Sequence, residues 1–445
     1  MKKLLYSTCI LILIAGSLAA CSGAGTPVTQ PPNATGAPAI EAPGAQPATE
    51  AAPATGEQVT LTFWHTYNED SPENKMLVDT VIPMFEAKFP SIKIEPRIEQ
   101  WPNFMQDLIT QISAGVAPDL IRSDIVWVPQ LADMGALVAL DSAMPDFNEL
   151  KANMFPGPMS TNLWQGVYYG LPLDTNTKVW IYNPEMYATA GIQDPPASMS
   201  DLLSQCEAFK AAYPEDYYFA GVDVTAWSIL PWIWSMGGEV LSPDLTTATG
   251  YFNGPKTVAA YEQYLQLFQA GCIAPKVLGD GQDTYSGMAG NVYASLDDGP
   301  WIYPIVDGQA KGKKLGAALF PAGEAGSIDV VGGEDILLFK QSKHPQEAME
   351  FIRFMLSDEA QLKMAEVGVM PVLSSLAQSD AIKNHPTFPI FMEQLKTSKA
   401  RPSLPQWGDI DTIMSDAGQK ILREEMTAQE ALDAAAAEID AKLNP

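Results

Sequence analysis

The chain has 445 residues, 26 basic against 53 acidic side chains and a formal net charge of −27. Phosphate backbones demand Lys and Arg, so a chain this acidic, with no long basic run, excludes nucleic acid as a partner. Four cysteines and three histidines, without a CxxC pair or a Cys/His cluster, give no support for zinc.

At the N-terminus, Lys2 and Lys3 precede a largely apolar run from Leu4 to Leu18, which ends in Leu18-Ala19-Ala20-Cys21. A positive start, a short apolar core and small residues before a cut site read as an export signal, residues 1–20. The run falls short of the roughly 20 residues that a spanning helix needs. Leu-Ala-Ala-Cys also resembles the bacterial lipobox, in which the Cys becomes the lipidated first residue of the mature protein. The alternatives are an ordinary secretory signal cleaved nearby and an uncleaved anchor. Removing Lys2 and Lys3 takes the charge from −27 to −29. Residues 21–58 are dominated by Ala, Pro, Gly and Thr, a composition that cannot bury enough surface to offset its ordering entropy. They are expected to form a disordered tether between lipid and body.

The body, residues 59–445, is too long for one core, and two lobes are the natural reading. Val59, Leu61 and Phe63 alternate with threonines, which is strand periodicity. Val78, Val81, Ile82, Phe85 and Phe89 follow helical spacing, and Ile92-Lys93-Ile94 reads as a second strand. Met105, Leu108, Ile109 and Ile112 form the next helical stripe, stopped by Gly115, and Pro118–Ile121 leads into a third strand ending near Asp124. This alternation predicts an α/β fold with largely parallel sheets. Pro345 suits the first turn of a helix through Ala348, Phe351, Ile352 and Met355. Thr427 and Glu430 form a capping box before the stripe Leu432, Ala435, Ala436, Ile439 and Leu443. Once Cys9 is cleaved off and Cys21 is lipidated, Cys206 and Cys272 remain. In an exported protein they are either a disulfide or two buried thiols, and spacing does not decide between them.

Several segments, in order, carry a resemblance. They are VTLTFWH from Val59, FEAKFP from Phe85, GVAPDL from Gly115 and LADMGALVALD from Leu131. GLPLDTNT from Gly170, then IYN from Ile181, DGPW from Asp298, GGED from Gly332, GVMP from Gly368 and RPS from Arg401 follow. Together they resemble the extracellular solute-binding proteins of ABC sugar importers, the family of the maltose-binding and multiple-sugar-binding proteins. Many relatives carry an aromatic or small residue after the Gly-Gly, where this chain has Glu334-Asp335. The resemblance implies a periplasmic-binding-protein fold of two lobes, each a mostly parallel sheet flanked by helices. Lobe one would combine 59–172 with 335–370, and lobe two 173–334 with 371–445. The hinge would lie near Pro172–Asn176, Gly332–Asp335 and Met370–Pro371, with the ligand cleft beside it. It further implies a monomer that captures a carbohydrate, hands it to ABC permease subunits and works on the outer face of the cytoplasmic membrane. No cofactor, metal or catalytic group belongs to this reading.

A sugar offers apolar C–H faces and a rim of hydroxyls, so its site needs flat rings and planar hydrogen-bonding side chains. Trp64 and His65 end the first strand, at the sheet edge that faces the crevice in open α/β folds. By the same logic Glu99 and Trp101 follow the second strand, and Asp124 the third. Asp174 and Glu334 lie at expected hinge segments, where each is either a ligand acceptor or a hinge brace. Trp227, Trp232 and Trp234 share one segment in which Ser228 is a candidate helix cap; the family pattern favours Trp232, and Trp227 is retained. Trp301 follows a Gly-Pro turn suited to presenting a stacking ring. Arg401 and Trp407 complete the set. For every ring the competing reading is buried scaffold.

The rival from another class is a secreted glycoside hydrolase, invited by Asp297 and Asp298. Adjacent residues of an extended segment point to opposite faces and make a poor catalytic pair. No GxSxG, HExxH, Walker A or Rossmann glycine pattern occurs. A second rival keeps the fold and binds a peptide, a polyamine or glycerol phosphate.

Overall fold

The computed structural model describes residues 58–377 and 379–444. The expected signal peptide, the lipidated Cys21 and the tether as far as residue 57 lie outside them.

Twelve strands are described, in chain order. They are β1 Val59–His65, β2 Ile92–Ile98, β3 Leu120–Asp124, β4 Leu163–Trp164, β5 Val167–Tyr168 and β6 Gly170–Thr177. After these come β7 Val179–Tyr182, β8 Tyr218–Ala220, β9 Tyr293–Asp298, β10 Gly316–Ala318, β11 Val330–Leu338 and β12 Lys399–Ala400. One sheet runs β12-β11-β3-β1-β2, with β6 also paired to β11, and a second runs β10-β7-β9-β8. The fold is the two-lobed periplasmic-binding-protein arrangement. Pro96 is tolerated in β2 because β2 is an edge strand.

Strand alternation explains how the first sheet is covered on both faces. Leu61, Phe63, Ile336 and Leu338 meet Phe351 and Ile352 of the helix Pro345–Met355. Trp64, Ile121 and Leu337 meet Phe104 and Leu108 of the helix Trp101–Ala114. That helix stops at Gly115, whose φ of +77° suits a residue without Cβ. The second sheet packs Trp180 with Trp232, Tyr264, Trp407 and Leu432 in one cluster, and Val179, Ile181 and Leu296 with Phe388 and Phe391 in another.

β1, β2 and β3 are mutually parallel, as expected. Neither sheet is wholly parallel: β11 runs antiparallel to β3 and β6, and β7 runs antiparallel to β9 and β10, while β8 pairs parallel with β9. The chain enters the second sheet by direct continuation of β6, with only Lys178 between β6 and β7. β11 returns antiparallel along β6, from Val331 opposite Thr177 to Leu337 opposite Gly170. A third crossing is tied to the same place. Thr175 donates its N–H to Met370 O at 3.2 Å. Buried Gln361 donates to Leu173 O at 2.8 Å and accepts from Val372 N–H at 3.1 Å. Val372, Leu373 and Leu376 pack in the first core, although the sequence places the departure at Pro371, whereas Met370 packs in the second.

Two expected helix caps resolve differently. The Thr427–Glu430 capping box forms at the helix Ala428–Leu443. Ser228, the expected cap, lies inside the helix Ala226–Ser235. The first N–H there, on Ala226, goes instead to Asp411 Oδ1 at 2.7 Å, because the helix Trp407–Leu422 packs against that end. Cys206 and Cys272 are joined in a disulfide that fastens the helix Asp201–Ala212 to the segment preceding Ile273, which bridges to β8.

Candidate ligand-binding site at the strand crossing

The C-terminal ends of β3 and β6 lie on either side of β11, with Glu334 in register with both Asp124 and Asp174. Three carboxylates in one row repel one another unless a cation intervenes. Arg122, two residues before Asp124 and so on the same face of β3, supplies it. Its Nη2 lies 2.6 Å from Glu334 and 3.1 Å from Asp174, its Nη1 donates to Thr66 Oγ1 at 3.0 Å, and its guanidinium sits over Tyr67. Burial and the Asp174 charge hold the Glu334 carboxyl well above the usual carboxylate range.

A second triad lies where β6 becomes β7. Lys178 is fully buried, with Nζ 2.5 Å from Asp297 on β9 and 3.9 Å from Asp329, which precedes β11. Burial and the Asp297 charge push the Asp329 carboxyl well above its ordinary value. Asp297 Oδ1 and Asp329 Oδ2 have no other partner among the described residues.

Between these triads stands Trp227, from the first turn of Ala226–Ser235. Lys178 Nζ lies over its ring at 5.3 Å and the Arg401 guanidinium at 5.1 Å. The ring rests on Gly332, where a Cβ would come within 2.6 Å of it. Arg401 Nη2 is bonded to Asp124 Oδ1 at 2.9 Å, so this cation joins the end of β3 to a ring on the second lobe. Trp301 stands 6.3 Å from Trp227 and donates its Nε1–H to Tyr285 OH at 3.0 Å. Gly299 lies under the Trp301 ring, where a Cβ would come within 2.1 Å.

The fold therefore brings Asp124, Asp174, Glu334, Trp227, Trp301 and Arg401 to one junction. Glu99, Trp64 and Trp101 form a separate group at the ends of β1 and β2. Arg97 Nε lies 2.5 Å from Glu99, and its guanidinium sits 4.4 Å from the Trp64 ring. Trp64 is only 4 % exposed and packs in the first core, whereas Trp101 is 47 % exposed and stacks on Trp127. Trp232 and Trp407 are buried away from the junction, whereas His65 is buried behind its Tyr67 and Arg122. His65 packs against Phe63 and Tyr67, and burial with the nearby Arg122 charge lowers its pKa to about 4. Trp232 is edge-on to Tyr264 and Phe320, and Trp407 belongs to the same cluster. Both face inward because the helices that carry them cover the second sheet. Tyr67, Arg122, Lys178, Tyr285, Asp298 and Asp411 also line the junction, and the sequence reading did not select them. Two of them carried a signal: Arg122 shares a strand face with Asp124, and Lys178 is a lone cation at the head of an apolar run.

Residues 80–390 match the family model for bacterial extracellular solute-binding proteins. The chain belongs to that family. Membership makes it an exported solute-binding protein. It is 27% identical over 388 residues to a binding protein of Brucella abortus, covering 85% of this chain and 92% of the relative. It is 24% identical over 363 residues to the diacetylchitobiose-binding protein DasA of Streptomyces coelicolor, covering 79% and 82%. The solved ABC transporter solute-binding protein of Thermotoga lettingae, bound with α-D-tagatose, superposes with a TM-score of 0.78 at 26% identity, covering 87% of this chain and all of that one. These relatives are binding proteins. Among the described residues no group of three His, Cys, Asp or Glu is disposed to hold a metal ion, and no helix is long and apolar enough to cross a membrane.

Proposed function

We propose that this protein is the carbohydrate-capturing subunit of an ABC importer, closing its lobes on a sugar at the strand crossing and delivering it to a membrane permease. The observation that carries this reading is the junction itself. Trp227 and Trp301 on one lobe stand against Asp124, Arg401 and the Arg122 triad at the crossing strands. Rings and charge-paired carboxylates are the chemistry that C–H faces and hydroxyl rims require. A relative named for diacetylchitobiose binding and a solved relative bound with tagatose support the same class. The lobes are taken as 59–172 with 335–370 and 173–334 with 371–445, save that Val372–Leu376 packs with the first and Met370 with the second.

A ligand touching both lobes favours the closed form, because its differential contacts exist only there. A thermal-shift screen across mono-, di- and trisaccharides is expected to find a sugar that raises the melting temperature. At 100 times its dissociation constant the ligand adds about 2.7 kcal/mol. X-ray scattering with that sugar should give a smaller radius of gyration. Stabilisation by a peptide, a polyamine or glycerol phosphate alone would overturn the carbohydrate reading.

The lipobox-like Leu18–Cys21 supports anchoring through a diacylated Cys21, since one acyl chain alone binds membranes only marginally. Cys21→Ala is expected to move the protein from the membrane fraction to the soluble one with its melting temperature unchanged. A variant that still sediments with membranes contradicts the anchor.

A further inference from the structure

Each cation of the junction has an anionic partner, although the buried Nε of Arg401 takes no hydrogen-bond partner among the described residues. Arg401 is held by Asp124, Lys178 by Asp297, Lys276 by Asp223 at 3.3 Å, and Arg122 by Asp174 and Glu334. The carboxylates are not matched in return. Asp298, at the end of β9, has no Lys or Arg within ion-pair distance among the described residues. Its Oδ1 accepts only the neighbouring Gly299 N–H at 2.8 Å, and its Oδ2 takes no hydrogen bond from the described residues. The side chain is nevertheless more than nine-tenths buried, and it flanks the Gly299 turn on which the Trp301 ring lies. A carboxylate is acceptor-only, and an Oδ2 that stays open on an otherwise buried residue is placed to accept from a bound molecule.

We propose that Asp298 is the acceptor that anchors the ligand, receiving hydroxyl hydrogens from a neutral sugar seated against Trp301, and that the site excludes acidic sugars because it has no unpaired cation for them. This rests on the carbohydrate reading above and narrows it. Uronates and sugar phosphates bring a negative charge that Asp298, Asp297 and Asp223 repel and that no free Lys or Arg offsets. Hydroxyl donors bring what the empty Oδ2 lacks.

The proposal has a signature in protons. Burial pushes the Asp298 carboxyl up to about 7. The charged groups around it are Asp297 on its own strand, Lys178 on the β6–β7 link and Lys276 on the turn Pro275–Leu278, and the neutral phenol of Tyr285 faces it from the helix Thr284–Ala289. Hydroxyls bind the ionised form, so the bound pKa falls below the free one. Binding at pH 7 then expels about half a proton, and affinity weakens by up to about tenfold per pH unit as pH drops below that value.

Calorimetry with maltotriose, N,N′-diacetylchitobiose and tagatose, set beside glucuronate, galacturonate and glucose 6-phosphate, tests it. The expected result is binding among the neutral sugars, at least tenfold weaker binding of the acidic ones, and proton release at pH 7 measured in two buffers of different ionisation enthalpy. Asp298→Asn, with its fold checked by circular dichroism, should abolish the release and weaken binding at least tenfold. An acidic sugar bound as tightly as the neutral ones overturns the exclusion while leaving the carbohydrate reading intact. Neutral binding without proton exchange, as strong in Asp298→Asn as in the wild type, removes Asp298 from the site. If no sugar of either kind binds, the carbohydrate reading itself fails and this proposal falls with it.

Discussion

Replacing Lys178 with Met is expected to destabilise the fold by about 3–5 kcal/mol near pH 8, because it leaves a buried carboxylate without its cation. The side chains of Lys178, Asp297 and Asp329 are 0%, 2% and 0% exposed, so water cannot substitute for the lost ammonium. Met fills nearly the same volume, so the loss is electrostatic rather than a cavity effect. In the wild type, burial already raises Asp297 and Asp329 above their ordinary values, with Lys178 opposing it. Without Lys178 the folded-state pKa of Asp297 rises further above the unfolded one. A raised carboxyl binds its proton more tightly in the native state, so the variant keeps its stability at low pH and loses it as pH rises through the folded value. The gap from wild type should therefore be widest at pH 8 and narrow toward pH 5. Denaturant midpoints at the two pH values measure it, and Asp297→Asn in the variant background should recover most of the loss. A gap of equal size at both pH values would show that the triad does not hold the crossing by charge.

The α/β alternation of the first lobe was legible because it rests on local periodicity. β1, β2, β3 and the helices between them follow the spacing of Val59–Phe63, Val78–Phe89 and Met105–Ile112. The second sheet was less legible, since its polarity depends on β6 running straight on into β7, and no periodicity records that continuation. Candidate residues divided in the same way. Asp124, Asp174, Trp301, Glu334 and Arg401 were reachable from strand ends and motif positions. Trp232 and Trp407 were misplaced because a tryptophan on a helix looks the same in sequence whether it faces a cleft or a core. Arg122 and Lys178 escaped because their importance comes from pairing with Glu334 and Asp329, 212 and 151 positions further on. Asp298 was weighed only as half of a catalytic pair. Its unanswered oxygen is a property of the turn around Gly299, which spacing does not show.

Trp301 and Trp232 should separate binding from stability when each is truncated to alanine. Trp301 is half-buried, with one edge bonded to Tyr285 and its ring over Gly299, and it covers no packed core. Trp301→Ala is expected to weaken sugar binding ten- to a hundredfold, about 1.4–2.8 kcal/mol, with a small change in melting temperature. Trp232 is 1% exposed and meets Tyr264 and Phe320 edge-on, with ring centroids 5.0 and 5.8 Å away. Its removal opens a cavity that the second core fills only in part, so Trp232→Ala is expected to lose about 3–5 kcal/mol of stability. Trp232→Ala should still bind sugar at low temperature with near wild-type affinity, since the ring does not reach the junction. Paired melting curves and titrations read both effects from the same preparations. The reverse pattern, a Trp301 variant that melts far lower yet binds normally once folded, would make Trp301 scaffold and take the ring platform out of the site.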